Sequence, residues 1–222
     1  MSKELNKGLF ISLEGGEGSG KTTQINRLAE SLTNEGYKVI TTREPGGTPE
    51  GESIRHLLVQ RDGGNWNAMA EILLLFAARV MHVEKIIKPA IATGKIIICD
   101  RFTDSTFAYQ GYGRGFDIDL IKDIQKSTIG DLTPDITLIL DIDAKQGLER
   151  STKRLSGIGG FEQTEDRFER LDIDFHERLR QGFLDIAKAE PGRCHVVDAL
   201  QDPAIVFDTI QNIVLQQVLK AE

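Results

Sequence analysis

Short, nearly continuous apolar runs alternate along this chain with longer stretches whose apolar residues recur at helical spacing. The runs at residues 9–13, 39–42, 96–99, 136–140 and 195–197 are rich in Ile, Val and Leu, the pattern of strands covered on both faces. Helices are predicted between and after them, over residues 22–34, 49–59, 68–92, 118–128, 144–154, 167–189 and 203–220. In the last, Val206, Ile210, Ile213, Val214 and Val218 form one apolar stripe. Gly36 and Gly94 stand where helices should stop. This alternation predicts an α/β fold, a five-stranded parallel sheet with helices on both faces. No internal repeat appears, and residues 1–222 read as a single domain. The segment Ser156-Gly157-Ile158-Gly159-Gly160 has no periodicity and reads as a mobile loop.

Charge narrows the partners. The formal net charge is -7, which argues against a long nucleic acid but leaves room for a small anion in a local cationic pocket. The first residues are polar, and no stretch reaches the roughly 18 apolar residues of a membrane span. A cytoplasmic location with no membrane partner is therefore expected. The two cysteines, Cys99 and Cys194, show no metal-ligand spacing, and a disulfide is not expected.

The strongest chemical signal follows the first strand. Gly15-Gly16-Glu17-Gly18-Ser19-Gly20-Lys21-Thr22 fits G-x-x-x-x-G-K-[ST] between a strand and a helix, with Thr23 next on the helix. Glycines allow the backbone to turn its N–H groups onto phosphate oxygens, and the helix N-terminus adds its positive end. Lys21 supplies charge for the β- and γ-phosphates of ATP, and the Thr22 hydroxyl can ligate Mg²⁺. Asp100, at the carboxyl end of the strand Ile96-Ile97-Ile98-Cys99, is the favoured second metal ligand. Asp141, at the end of the fourth strand, is its rival.

The next residues carry a family resemblance. Asp100-Arg101-Phe102-Thr103-Asp104-Ser105-Thr106-Phe107-Ala108-Tyr109-Gln110-Gly111 resembles the thymidylate kinase signature D-R-[YFH]-x-x-S-x-x-A-Y-Q-G. Arg43-Glu44-Pro45-Gly46-Gly47-Thr48, Phe76-Ala77-Ala78-Arg79 with His82, and Asp166-Arg167-Phe168-Glu169 resemble further segments of that family, in family order. The resemblance implies a three-layer P-loop kinase fold with a small mobile lid at about residues 150–166 and a homodimer, with which the apolar Ile72, Leu73 and Leu74 are compatible. It implies the reaction of ATP with dTMP, with Mg²⁺ as cofactor.

The resemblance also implies residue roles. Arg101 binds the dTMP phosphate. Arg79 meets the thymine edge, with Thr106 and Gln110 near the base, and Ser105 is a further substrate-binding residue. Tyr109 lies against C2′ of the deoxyribose, and Glu17 accepts from the 3′-hydroxyl. Arg43 and Glu44 line the acceptor side, and His82 is expected to be structural. The family's aromatic base contact falls on Leu75 here, so either the contact becomes aliphatic or Phe76 supplies it from the next position, the outcome expected here. The stretch from Leu155 to Glu165 is longer than in compact members. No residue among Gly16, Glu17, Gly18 and Ser19 is basic, so the transition-state arginine is expected from Arg150, Lys153 or Arg154, with Arg154 favoured and Arg150 next. Arg150 and Arg154 lie four apart and share a helix face. Another nucleoside monophosphate or deoxynucleoside kinase, or a nucleotide-dependent switch, is the alternative.

Overall fold

The computed structural model describes residue 3 and residues 5–60, 64–156 and 165–221, with the side chains of residues 154–156 left aside. Five parallel strands, β1 (Leu9–Glu14), β2 (Val39–Arg43), β3 (Ile96–Asp100), β4 (Ile136–Asp141) and β5 (Cys194–Asp198), stand in the order β2-β3-β1-β4-β5. Leu9, Ile11 and Leu13 of β1 point to one face, together with Ile96 and Ile98 of β3. That face is covered by α1 (Lys21–Asn34), through Ile25, Leu28 and Leu32, and by α9 (Pro203–Ala221). In α9 the predicted stripe is buried at Val206, Ile210, Val214 and Val218, and Ile213 packs partly against it.

The opposite face carries Phe10, Ile97 and Cys99. It is covered by a long helical run comprising α3 (Ala68–His82), a π-helical turn at Val83–Ile87 and α4 (Lys88–Ala92). The sequence predicted one uninterrupted helix there. The wide turn lies just before Pro89, which lacks an N–H for the preceding turn. Further along this face lie α5 (Thr103–Thr106), a π-helical segment Phe107–Gly113, α6 (Ile118–Ile129) and α8 (Ile173–Ala189). The remaining helices are α2 (Pro49–Val59), capped by the Thr48 hydroxyl, and α7 (Ala144–Ser156).

Two boundaries differ from the sequence reading. The helix predicted from residue 167 starts at Ile173, because Asp172 accepts from the Phe175 N–H at 2.7 Å and caps it. Residues 103–113, assigned no element from the pattern, are helical. Tertiary packing holds them: a Cβ on Gly111 would meet Ile118 Cδ1 at 2.2 Å, and one on Gly113 would meet the Phe175 ring at 2.5 Å. Both cysteines are buried and free, and among the described residues no helix is long and apolar enough to cross a membrane. The expected lid at about residues 150–166 falls largely on residues 157–164, outside the described ones.

Strand register aligns the ends of three neighbouring strands. Arg43, Asp100 and Leu13 are level across β2, β3 and β1. The three loops leaving these strands therefore emerge side by side at the carboxyl edge, and the chain then crosses β1 to add β4, the topology in which open α/β sheets bind ligands. Beneath that edge runs a buried polar stripe. Arg193, just before β5, grips Asp104 in a two-point pair at 2.7 and 2.9 Å and donates to Thr137 Oγ1 at 2.7 Å. Thr137 in turn lies 3.1 Å from Ser12 Oγ on β1. This stripe fastens α5 to the sheet. Arg193→Ala would leave Asp104 buried without its partner, and removing one member of such a pair typically costs about 3–5 kcal/mol. Urea unfolding should show a loss of that order, and a loss below about 1 kcal/mol would contradict the assignment.

Candidate active site

The loop after β1 encloses the amino end of α1. Gly18 has φ 67°, and a Cβ there would meet Gly147 O of α7 at 2.0 Å. Gly20, at φ 91°, precedes the first turn of α1. Lys21 folds back so that Nζ donates to Gly15 O and Gly16 O, each at 3.1 Å. Burial and the facing Arg101 guanidinium lower its pKa to about 8. Glu17, Gly18, Ser19, Gly20, Lys21, Thr22 and Thr23 line a cleft of about 740 Å³. Gly15 and Gly16 sit deeper, against β4 and α8, with Gly16 O accepting from Ser19 Oγ at 2.9 Å.

The loop after β3 supplies the second cation. Arg101 has φ 70°, the one non-glycine residue among those described with a positive φ. This conformation is uncommon for a long side chain and needs outside support. Glu14, the last residue of β1, provides it: Oε1 accepts from the Phe102 N–H at 2.7 Å and Oε2 from Ser105 Oγ at 2.5 Å. Burial, with Asp104 nearby, raises the Glu14 pKa to about 7. Arg101 Nη1 then donates to Gly15 O at 2.9 Å and Ser105 Oγ at 3.2 Å, while Nη2 reaches Glu17 at 3.3 Å. Its guanidinium stands 4.9 Å from the Tyr109 ring centre, and the Tyr109 hydroxyl donates to Glu17. Burial opposes charge on Glu17, but Arg101 and Lys21 outweigh it and hold the pKa below the ordinary value. Glu169 faces the same carboxylate, and burial followed by that repulsion raises its pKa to about 7.

A third wall comes from β2 and α3. Glu44 is buried and accepts from Arg79 Nε at 2.6 Å and His82 Nδ1 at 2.9 Å. His82 also lies 2.7 Å from Thr42 Oγ1, which gives this fully buried ring a bridging position between strand and helix. Arg79 Nη2 donates to Thr106 Oγ1 at 2.9 Å and Phe102 O at 3.3 Å. Glu84, another acid within reach in the sequence, pairs instead with Lys88. Arg43 is exposed and paired with Glu52 at 2.8 Å, yet its side chain lines the cleft.

One expectation changes, and two others find their place. Phe76 does not line the cleft; it is buried with Ile72 and Ile121, its ring 4.6 Å from the Arg79 guanidinium. Leu75 takes the cleft wall, because one residue turns a helix by about 100°. Asp141, the rival metal ligand, is engaged by Arg180 at 2.7 and 2.9 Å, whereas Asp100 lines the cleft with Thr22. Of the basic cluster on α7, Arg150 lines the cleft and donates to Ala199 O at 3.0 Å. Arg154 lies in the last turn of α7, and its side chain lies outside the described residues.

The structure also adds acids that the sequence reading did not select: Glu14, Glu71, Glu165 and Glu169. Glu71 accepts from Gln110, Arg114 and Arg167, and Arg55 pairs with Glu165 at 2.5 Å across the cleft mouth. Two of these had a visible signal, Glu14 as the acid immediately before the glycine loop and Glu169 as the last residue of the Asp166-Arg167-Phe168-Glu169 segment. The assembled site offers one cationic end at Lys21, a second at Arg101, and between Leu75, Arg79, Thr106 and Gln110 a wall with both donors and acceptors.

Comparison with known proteins identifies the family and agrees with the fold. The family model described as thymidylate kinase matches residues 13–210. A thymidylate kinase of Caulobacter vibrioides is 46% identical over 214 residues, covering 96% of this chain and 99% of the relative. One of Syntrophotalea carbinolica is 49% identical over 190 residues, covering 86% and 87%. The crystal structure of thymidylate kinase from Ehrlichia chaffeensis superposes with a TM-score of 0.75 at 39% identity, covering 94% of this chain and 99% of that one. With a family model spanning most of the chain and relatives this similar over nearly their whole length, the chain belongs to the thymidylate kinase family.

Proposed function

We propose that the protein transfers the γ-phosphate of ATP to dTMP, giving ADP and dTDP. The observation that carries this reading lies in the acceptor wall. Among the described residues, Arg79 Nη1 and Gln110 Oε1 are buried without a hydrogen-bond partner. One is a donor and the other an acceptor, the complement of the O4 acceptor and N3–H donor on the thymine edge. Leu75 would pack on the base, and Thr106 would keep Arg79 in place. Tyr109 and Glu17 would meet the sugar, which disfavours a ribose 2′-hydroxyl.

Arg101 would hold the dTMP phosphate, and Lys21 with the loop N–H groups would hold the β- and γ-phosphates of ATP. A dTMP phosphate oxygen attacks the γ-phosphorus and the bond to the β,γ-bridging oxygen breaks. That chemistry needs alignment and charge neutralisation more than a base. Thr22 and Asp100 fit a Mg²⁺ site as oxygen donors on the cleft wall. Among the described residues no three His, Cys, Asp or Glu side chains converge on a metal position. Nucleotide oxygens and water would supply the other ligands, as Mg²⁺ prefers, and the ion would offset charge on the phosphates. Arg150, from the cleft wall, and Arg154, from the end of α7, would bring positive charge to the transferring group.

A coupled ADP-release assay over dTMP, dUMP, UMP, CMP, AMP, GMP and thymidine tests the reading. dTMP should give the highest kcat/KM, with negligible ADP release when no acceptor is added. A preference for thymidine or another monophosphate would overturn the substrate, and steady hydrolysis without an acceptor would favour a switch. In the same assay, at least one of Arg150→Ala and Arg154→Ala should lower kcat by about 100-fold. Near-normal kcat in both would remove the arginine assignment.

Lys21 gives a pH signature. Its pKa, lowered to about 8, leaves it charged below that pH and neutral above it. Because kcat/KM reports the free enzyme, kcat/KM for ATP should fall as pH rises through about 8, approaching tenfold per unit. Bound phosphates favour the charged lysine, so kcat should fall later. A kcat/KM for ATP that stays level to about pH 9.5 would contradict this role.

A further inference from the structure

Gln110 carries an amide, and its orientation decides what the cleft wall offers a base. With the carbonyl end available, the wall accepts a hydrogen bond; with the NH₂ end available, it donates. Gln110 sits in the π-helical segment after α5 and lines the cleft. Its Nε2 donates to Glu71 Oε2 at 3.1 Å. Its Oε1 is the buried, unpartnered end. A residue on a different helix therefore sets the direction of this amide.

Glu71 lies on α3 and is 1% exposed. Its two oxygens divide their work. Oε1 accepts from Arg114 Nη2 at 3.0 Å and from Arg167 Nη2 at 2.5 Å. Oε2 is left for Gln110. Arg167 is itself anchored, since its Nη1 donates to Leu58 O of α2 at 2.9 Å. A carboxylate paired with two guanidinium groups offers acceptors only. The Gln110 NH₂ must face it, because turning the carbonyl toward Glu71 would set oxygen against oxygen in a buried site.

We propose that Glu71 is a positioning residue for base selection: by holding the Gln110 NH₂, it keeps the Gln110 carbonyl as the acceptor for the N3–H of a thymine or uracil ring. This rests on the reading that the cleft takes dTMP. Cytosine has an unprotonated N3, which would meet that carbonyl acceptor to acceptor. Its 4-amino group would likewise meet the Arg79 donor. The arginines on Oε1 matter because they prevent Glu71 from rotating and releasing Oε2. Base selection is thus built on a relay from Arg114 and Arg167, through Glu71, to an amide that could otherwise face either way.

Glu71→Gln tests this with almost no change in size. The introduced amide keeps its carbonyl on the two arginines and places its NH₂ where Oε2 was. Gln110 must then turn its carbonyl toward it and leave its own NH₂ on the cleft wall. The steady-state kinetics of dTMP, dUMP and dCMP should respond unequally. kcat/KM for dTMP should fall about 30-fold, chiefly through KM, because N3–H now faces a donor. dUMP, which shares that edge, should fall in parallel. dCMP should hold or rise, so the dTMP to dCMP ratio narrows at least about tenfold. A purely structural role would depress all three together and leave the ratio unmoved, which would overturn the proposal, as would unchanged dTMP kinetics.

Gln110→Leu provides the second arm. It should narrow the same ratio on its own, and in its background Glu71→Gln should shift the ratio by less than about threefold. Should Glu71→Gln fail to fold, an unmoved ratio in Gln110→Leu overturns the proposal by itself. The unaltered protein separates the two levels of argument. If it does not prefer dTMP, the substrate reading fails. If it does, and Glu71→Gln leaves the ratio unmoved, only the role of Glu71 fails.

Discussion

The Glu14 carboxylate is the joint on which the cleft depends. It is fully buried at the end of the central strand and takes one hydrogen bond from the Phe102 backbone and one from the Ser105 hydroxyl. Those two bonds fix the first turn after β3. They let Arg101 occupy a left-handed backbone conformation that a free chain would rarely visit. From there its guanidinium reaches Gly15 O of the phosphate loop and the Glu17 carboxylate together. The proposed acceptor and donor phosphate sites are therefore parts of one rigid junction between two strand ends. Such an arrangement removes much of the orientational entropy from a transfer step.

The junction carries an electrostatic tension. Lys21 and Arg101 both line the cleft, and burial, followed by their mutual repulsion, lowers the Lys21 pKa to about 8. Glu17 lies between them and relieves part of that repulsion. Glu169 feels the cost on the other side, as a buried carboxyl facing Glu17 with its pKa raised to about 7. Perturbed groups gathered in one cleft mark a place arranged for ligand charge. Phosphates entering beside Lys21 and Arg101 would replace protein–protein compensation with protein–ligand pairing. The deeper Asp104–Arg193 pair, remote from the cleft surface, keeps α5 on the sheet while this exchange takes place.

Strand centres and the glycine loop were legible in the sequence because their signals are local. Continuous apolar runs mark buried parallel strands, and the loop declares itself by spacing between strand and helix. The strand ends were less legible. Glu14, Asp100 and Asp141 each close an apolar run. Their fates diverge into a backbone clamp, a cleft wall and an ion pair with Arg180, and for Glu14 and Asp141 the deciding partners lie 91 and 39 residues away. Residues 103–113 gave no helical period, since their helix is imposed by α6 and α8 through Gly111 and Gly113. Phe76 was expected in the cleft on residue type, but burial against Ile72 and Ile121 turns it away. Glu71 was invisible for a related reason: its partners come from two distant segments, Gln110 and Arg114 from one and Arg167 from the other.

The central claim is that Glu14 organises the phosphate end of the acceptor site and leaves the base end alone. Calorimetric titration of Glu14→Ala with dTMP and with thymidine tests it most directly. The two ligands differ only in the phosphate that Arg101 would hold. The account predicts that dTMP affinity falls at least about tenfold while thymidine affinity stays within about twofold of the unaltered protein. An equal loss for both ligands, or no loss for either, would contradict it.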